Sequence, residues 1–315
     1  MKCRAPDLVA LAARLPARPR TRFAPSPTGW LHIGHVVNAI YTWGIARALG
    51  GTVLLRIEDH DRERSRPEYE REILADMAWL GLEPQEHGGT PFACARQSDR
   101  ESVYAEALAS LQRRGLVYAC ACSRKEIGQL TRETAGELCY PGTCRDRGLP
   151  CEAGSGLRLR VDAGLERFVD GLQGAQVQEP ASQSGDLLIR DRVGQWTYQF
   201  AVTVDDTDQQ IDLVIRGEDL LASTGRQIRL ARLLGRTTPP VYLHHPLLYA
   251  STGVKLSKSN RDTGIRELRA RGLSPSDVLG LAAAQAGLIE RPFPVSSEDL
   301  TGLFVAALYG VDLDP

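Results

Sequence analysis

Between Thr21 and Leu80 the chain alternates twice between a short β-type run and a longer stretch of helical spacing, and few folds accommodate that order. Thr21-Arg22-Phe23 reads as a strand entering the stiff turn Ala24-Pro25-Ser26-Pro27-Thr28-Gly29. A helix is expected from about His32 to Leu49, ended by Gly50-Gly51. Thr52 to Ile57 is a compact β-branched and apolar run, hence a buried strand, and Pro67 to Leu80 has helical spacing up to Gly81. Ser98 with Glu101 has the form of a capping box that opens a further helix to about Arg114. Strand, helix, strand, helix in succession implies a parallel sheet with helices packed on it.

The pattern breaks between Cys120 and Cys151, a stretch rich in Cys, Arg and Gly that reads as a small inserted module. Strand signals resume at Leu187-Ile189 and Ile211-Ile215, Leu220 to Leu234 reads as a helix, and Pro239-Pro240 marks a boundary. Beyond it the chain looks helical. Ser274 is an N-cap with Pro275 at the first helical position of a helix to about Leu288, and another spans Ser297 to Leu308. The expected organisation is a lead-in over 1–20 and a Rossmann-type α/β catalytic domain in two halves, 21–118 and 186–238. An insertion over 119–185 separates the halves, and a helical C-terminal region covers 239–315. The Arg-bearing lead-in has no continuous apolar core and is expected to be frayed.

Composition narrows the class. The 315 residues are 43% hydrophobic and 24% charged, enough to bury a real core. A net charge of −1 announces no global basic field, although a local basic stripe suffices for RNA. No apolar run approaches a membrane span. The seven cysteines are an odd number, against a closed disulfide framework, and Cys120, Cys122, Cys139 and Cys144 crowd into one stretch that suits a metal in a reducing, cytoplasmic setting.

Three groups of residues carry chemistry. His32 and His35 lie three apart at a helix start, so two imidazoles share one face beside the positive end of the helix dipole. Free backbone N–H groups there, with both rings, can donate to a phosphate whose charge builds up in a displacement, and Gly34 leaves room for a nucleotide ring. Lys255-Leu256-Ser257-Lys258-Ser259, in a loop after Ser251-Thr252-Gly253, suits a clamp on a triphosphate. Alone, a His-x-x-His pair or a Lys-Ser loop is more often a solvated surface. Cys120-x-Cys122 and Tyr140-x-x-x-Cys144 supply three thiolates and a phenol, and from spacing alone Cys139 is the better fourth zinc ligand.

Taken together these motifs resemble the class I aminoacyl-tRNA synthetases. His32-Ile33-Gly34-His35 is similar to their HIGH motif and Lys255 to Ser259 to KMSKS, with Leu for Met. Arg22-Phe23-Ala24-Pro25-Ser26-Pro27-Thr28-Gly29 resembles the glutamyl branch rather than the glutaminyl one. The resemblance implies that His32, Gly34, His35 and Lys258 bind ATP, with His32, His35, Lys255 and Lys258 serving the reaction. It also implies that Arg22, Phe23, Ala24, Pro25, Ser26, Glu58, Tyr198 and Arg216 hold glutamate. Glu58 would take the ammonium, and Arg22 and Arg216 the carboxylates. Asp205-Asp206 matches an acidic pair to which no role is assigned. The same resemblance selects Tyr140 over Cys139, giving one structural Zn²⁺ on Cys120, Cys122, Tyr140 and Cys144, and it implies Mg²⁺ with ATP.

The likeness covers about Thr21 to Asn260 and leaves no room for a large anticodon-binding region. In this the chain resembles the glutamyl-queuosine tRNA(Asp) synthetases, which activate L-glutamate without tRNA and attach it to queuosine in the tRNA(Asp) anticodon. The partners expected are ATP, L-glutamate and tRNA(Asp), with no membrane and a monomeric protein. Arg113, Arg114, Arg145, Arg147 and the arginines from Arg261 to Arg271 are candidates for phosphate contacts. The alternatives are a shortened glutamyl-tRNA synthetase that charges the 3′ end and a non-catalytic RNA-binding relative.

Overall fold

Among the described residues, twelve strands build three sheets: β1 Arg20–Phe23, β2 Thr52–Ile57, β3 Ala95–Arg96, β4 Val117–Cys120, β5 Glu133–Thr134, β6 Glu137–Leu138, β7 Gly156–Leu159, β8 Glu166–Asp170, β9 Gly174–Gln178, β10 Leu187–Arg190, β11 Leu213–Gly217 and β12 Val241–His245. The computed structural model describes residues 5–85, 95–131, 133–134, 137–152, 154–248 and 264–309. Seven strands form the main sheet in the order β3-β2-β1-β11-β12-β8-β9. Every neighbouring pair in it is parallel except the β8–β9 hairpin. The parallel sheet expected from the sequence is present, and β1, β11 and β12 are buried almost throughout, as strands covered on both faces must be.

Strand order reverses between β1 and β11. β2 lies on one side of β1, while β11 and β12 lie on the other, so the carboxyl ends of β1 and β11 diverge around a crevice. The helix Ile33–Ala48 leaves β1 over this crevice and is buried on nearly all sides. Phe23 meets Trp43 edge-on at 5.3 Å, and Tyr41 lies between the His245 and Phe304 rings at 5.1 and 5.2 Å. The C-terminal helices Pro275–Gln285 and Gly302–Tyr309 cover its outer side, so this region completes the main core.

Several readings are corrected. Ser98 is not a cap: it sits in a 3₁₀ turn, Gln97–Asp99, and its N–H donates to Asp59 Oδ1 at 2.8 Å. The helix Glu101–Arg113 starts without a side-chain cap, and the Glu101 carboxylate takes Trp196 Nε1–H at 2.7 Å instead. Pro239-Pro240 is no domain break, because β12 follows at once and pairs with β11 over five residues. The stretch 220–234 is a 3₁₀ turn, Glu218–Ser223, and then the helix Thr224–Leu233. β10 joins β7 and β4 in a separate antiparallel sheet, and the β8–β9 hairpin from inside the 119–185 span extends the main sheet. The lead-in is not frayed over residues 7–13: Asp7 Oδ1 caps the helix Leu8–Ala12 through Val9 N–H and Ala10 N–H, each at 3.0 Å, and Leu8 and Leu11 enter the main core. Ser274 does cap Pro275–Gln285, through a capping box with Asp277.

Two stability predictions follow from the core around Ile33–Ala48. A Cβ on Gly44 would lie 2.3 Å from Phe304 Cε2 and 2.9 Å from the Leu300 carbonyl. Gly44→Ala should therefore destabilise by about 1–3 kcal/mol in urea unfolding despite its better helix propensity; a stabilised variant would contradict this packing. His245 is buried, with Nδ1–H donating to the Pro246 carbonyl at 3.0 Å and Nε2 accepting from Asn38 Nδ2 at 3.0 Å. Burial pushes its pKa from 6.5 down to about 4. The unfolded imidazole takes a proton near pH 6.5 while the folded one resists, so its contribution is complete above about pH 6.5. It is lost as pH falls to about 4, costing about 3 kcal/mol. Unfolding free energies at pH 7 and pH 4 should show that loss, and His245→Asn should remove most of it; equal slopes for the two proteins would rule the assignment out.

Candidate active site

Four strand ends converge on one cleft of about 490 Å³, lined among others by Arg22, Phe23, Ala24, Pro25, His32, Gly34, His35, Glu58, Tyr198 and Arg216. Residues expected from distant parts of the sequence are thus brought together. Ser26 is the exception: it turns its carbonyl to Thr28 N–H at 2.8 Å and is not among the lining residues. Lys255 and Lys258 lie outside the described residues.

The helix start is built differently from the expectation of free backbone donors. His32 is the N-cap, with extended backbone (φ −132°), and its Nδ1 accepts Gly34 N–H at 3.1 Å. His35 Nδ1 reaches back to accept His32 N–H at 3.1 Å. The two imidazoles therefore form the capping box themselves and lie 4.0 Å apart. An Nδ1 that accepts from the backbone carries no proton in the neutral ring, so the proton of each ring is on Nε2. The donors these residues can offer a phosphate in the cleft are imidazole Nε2–H groups. A Cβ at Gly34 would come within 2.9 Å of His32 Cε1, so this glycine makes room for the capping ring.

One wall is a buried charge network. Arg22 Nε donates to Asp206 Oδ1 at 3.1 Å, and Arg22 Nη1 to the Ile215 carbonyl at 3.1 Å. Arg56, fully buried, donates to the same Asp206 oxygen at 2.9 Å, to Gln209 Oε1 at 2.8 Å and to Glu58 Oε1 at 3.1 Å. Burial alone would lower the Arg56 pKa, but Asp206, Asp205 and Glu58 outweigh it and hold the pKa well above its ordinary value. Burial would raise the Asp206 carboxyl, and Arg22 and Arg56 instead hold it low. Asp205 accepts from Gln97 at 2.7 Å, Arg100 at 2.6 Å and Tyr104 at 2.9 Å. The acidic pair left without a role thus fixes both arginines beside the cleft. Burial, with Glu58 adding to it, pushes Tyr198 up to about 12, so its hydroxyl stays a neutral donor facing the cleft.

Arg216 is held otherwise. Its donors go to His244 Nε2 at 2.9 Å, Gln227 Oε1 at 2.7 Å, Thr224 Oγ1 at 2.9 Å and the Leu220 carbonyl at 3.3 Å. Sequence reasoning missed His244, His245 and Asn38. The only signal was the His-His-Pro run at the end of the unrecognised β12.

The cysteine cluster lies in the antiparallel part. The Sγ atoms of Cys120, Cys122 and Cys144 all lie within 4.8 Å of one another, and Cys122–Cys144 is 3.6 Å. Tyr140 Oη is 3.4 Å from Cys120 Sγ and 3.9 Å from Cys122 Sγ, and it accepts Cys144 N–H at 2.8 Å. Zinc–sulfur bonds of about 2.3 Å in a tetrahedron put sulfurs roughly 3.8 Å apart, so this donor set fits a Zn²⁺ after small movements. Cys139 points away, its Sγ donating to the Ser182 carbonyl at 3.5 Å. Arg158 Nε donates to Cys120 Sγ at 3.3 Å and its guanidinium lies 3.7 Å over the Tyr140 ring, which puts a positive charge beside the cluster. Cys151 is exposed, and Cys3 and Cys94 lie outside the described residues.

Among the described residues, two of the arginines considered for RNA form ion pairs within the chain. Arg145 pairs with Asp186 at 2.6 Å and Asp162 at 3.0 Å, and Arg269 pairs with Asp76 at 2.9 Å. No helix among the described residues is long and apolar enough to cross a membrane.

Residues 19–281 match the family of class I tRNA synthetases (E and Q), catalytic domain. A Nitratidesulfovibrio vulgaris protein named glutamyl-Q tRNA(Asp) synthetase is 42% identical over 302 residues, 91% of this chain and 92% of its own. A Burkholderia cenocepacia protein of that name is 46% identical over 275 residues, 85% and 88% of the two chains. The crystal structure of a glutamate tRNA ligase from Elizabethkingia meningosepticum, in complex with its amino acid, superposes with a TM-score of 0.74 at 27% identity. That superposition covers 90% of this chain and 64% of the ligase, so the chain spans just under two thirds of the ligase's length. With the crevice at the β1/β11 reversal and two imidazoles capping its helix, the chain belongs to the class I tRNA synthetases (E and Q), among the glutamyl-Q tRNA(Asp) synthetases.

Proposed function

We propose that the cleft activates L-glutamate with ATP and that the glutamyl group then passes to queuosine in the anticodon of tRNA(Asp). The observation that carries the first step is the convergence of Arg22, Glu58, Tyr198 and Arg216 beside His32 and His35 in one crevice. The acceptor is supported by relatives of that name that match this chain over most of their length. Glu58 takes the ammonium, and Arg22 and Arg216 take the two carboxylates. A glutamate carboxylate oxygen attacks the α-phosphorus in line, the bond to pyrophosphate breaks, and a glutamyl-adenylate remains. A hydroxyl of the acceptor nucleoside then attacks the acyl carbon, AMP leaves and the hydroxyl proton is released. His32 and His35 donate Nε2–H to phosphate oxygens that gain charge, and Lys255 and Lys258 act as point charges on the departing pyrophosphate. Mg²⁺ accompanies ATP and offsets phosphate charge.

Arg22, Glu58 and Arg216 of the amino-acid pocket are already fixed by bonds within the chain, so activation should not wait for RNA. Glutamate-dependent ATP–pyrophosphate exchange should run with the protein alone, and exchange that appears only with tRNA would count against this. Lys258→Ala should lower the exchange rate by about 10²–10³ with little change in glutamate affinity. Labelled glutamate should then be found on the anticodon fragment of nuclease-cut tRNA(Asp). Label on the 3′ terminal fragment would identify a short glutamyl-tRNA synthetase instead.

The metal is proposed to be one structural Zn²⁺ on Cys120, Cys122, Tyr140 and Cys144. Four protein ligands leave no position for a reactive water. Among the described residues the local core has Tyr118, Cys120, Ile127, Tyr140 and Cys144 as its buried members, so binding would stabilise a weakly packed part of the fold. Metal analysis should find about one zinc per chain, lost in Cys122→Ser and kept in Cys139→Ser. Loss in Cys139→Ser with retention in Tyr140→Phe would make Cys139 the fourth ligand.

A further inference from the structure

The main sheet holds a buried chain of polar groups behind the cleft. Asp170, at the end of β8, accepts from the backbone N–H of Leu172 and Gln173 through Oδ1, each at 2.9 Å. Its other oxygen, Oδ2, is 2.6 Å from His244 Nδ1. His244, at the end of β12, accepts Arg216 Nε–H through Nε2 at 2.9 Å. All three residues are buried, and the guanidinium at the end of this chain faces the cleft.

This geometry fixes one tautomer. Arg216 Nε–H can only donate, so His244 Nε2 must hold a lone pair, and the ring proton must lie on Nδ1, facing the Asp170 carboxylate. Burial lowers the His244 pKa, and Arg216 reinforces this against the opposing pull of Asp170. The ring is therefore a neutral acceptor. Thr224, Gln227 and the Leu220 carbonyl, the other partners of Arg216, are neutral as well. Arg22, by contrast, already shares Asp206 with Arg56.

We propose that the Asp170–His244 pair is a positioning device for Arg216: it orients the guanidinium fork toward the cleft and leaves its charge unneutralised for a carboxylate of the substrate. This rests on the reading of the cleft as an amino-acid pocket. A carboxylate at position 244 would orient Arg216 equally well but would also cancel the charge that the substrate needs. A neutral imidazole orients without cancelling. It also favours an anionic side chain over the corresponding amide, because an amide oxygen gains less from an unpaired guanidinium.

Asp170→Asn is the informative variant. The Leu172 and Gln173 N–H groups keep the amide oxygen at the Oδ1 place, so the amide NH₂ faces His244 Nδ1. That donor demands a lone pair on Nδ1, which moves the ring proton to Nε2, against Arg216 Nε–H. His244→Gln is the conservative counterpart, since its amide oxygen can accept from Arg216 in place of Nε2. Steady-state exchange kinetics should give Asp170→Asn a glutamate KM raised on the order of tenfold, the effect of about one buried hydrogen bond lost, with the ATP KM unchanged. His244→Gln should stay within a few-fold of the parent. His244→Glu should raise the glutamate KM most and narrow the preference for glutamate over glutamine.

A glutamate KM unchanged in both Asp170→Asn and His244→Glu would overturn the proposal. So would a parallel rise in the glutamate and ATP KM accompanied by a lowered melting temperature, since that pattern marks a merely structural role. If the parent protein itself shows no glutamate-dependent exchange, the amino-acid pocket reading falls, and the positioning role with it. Glutamate-dependent exchange in the parent with unaffected variants removes the positioning role alone.

Discussion

A guanidinium with no access to water holds the cleft together. Arg56 lies on β2 and bonds to Asp206 on the helix Tyr198–Asp208 and to Glu58 just beyond its own strand. An isolated buried cation would be prohibitively costly, so Asp206, Asp205 and Glu58 are gathered around it. Removing one partner would leave an uncompensated charge behind. The network therefore ties β1, β2 and the Tyr198–Asp208 helix into one unit through Arg22, Arg56, Asp205 and Asp206. A pocket for an amphoteric ligand gains from this rigidity, because Glu58 and Arg22 are set in place before any ligand arrives.

The two cleft arginines show two ways of placing a positive charge. Arg22 shares a carboxylate with a second cation, which fixes it firmly and blunts its field. Arg216 is held by an imidazole, an amide, a hydroxyl and a carbonyl, which fix it and leave its field intact. In a site of low dielectric that difference sets how strongly each one attracts an anion.

The fold was legible where a local pattern decided it. Residues 21–80 carry periodicities that neighbouring structure does not override, and the Ser274 cap needs only its own turn. The sequence was silent where a partner lies far along the chain. Asp206 meets Arg56 across 150 positions, and Asp170 meets His244 across 74. In each case a buried acid looks locally like a solvated one. β12 was missed because Pro239-Pro240 announces a break while the strand's identity comes from pairing with β11. The Ser98 box failed for a related reason: Asp59 holds the Ser98 backbone, so the helix starts later. At the cleft, the lining residues were found by motif and strand-end position, but the groups behind them were not. The cysteine cluster divides in the same way. Spacing favoured Cys139, whereas the backbone turns Tyr140 toward the three thiols and Cys139 away.

The helix Ile33–Ala48 shows why fold and chemistry are hard to separate here. It is buried almost all round, and its half-buried first turn opens on the cleft with N–H groups that need partners. Ser, Thr, Asp or Asn would be the ordinary cap. Any of those would satisfy the backbone but present no further donor at the distance an imidazole spans. A histidine cap does both, since accepting at Nδ1 forces the proton onto Nε2 on the far side of the ring. The requirement to close this helix end thus selects the tautomer that carries its donor on Nε2. Gly34 is the consequence in sequence, because a Cβ at that position would push the His32 ring out of its cap.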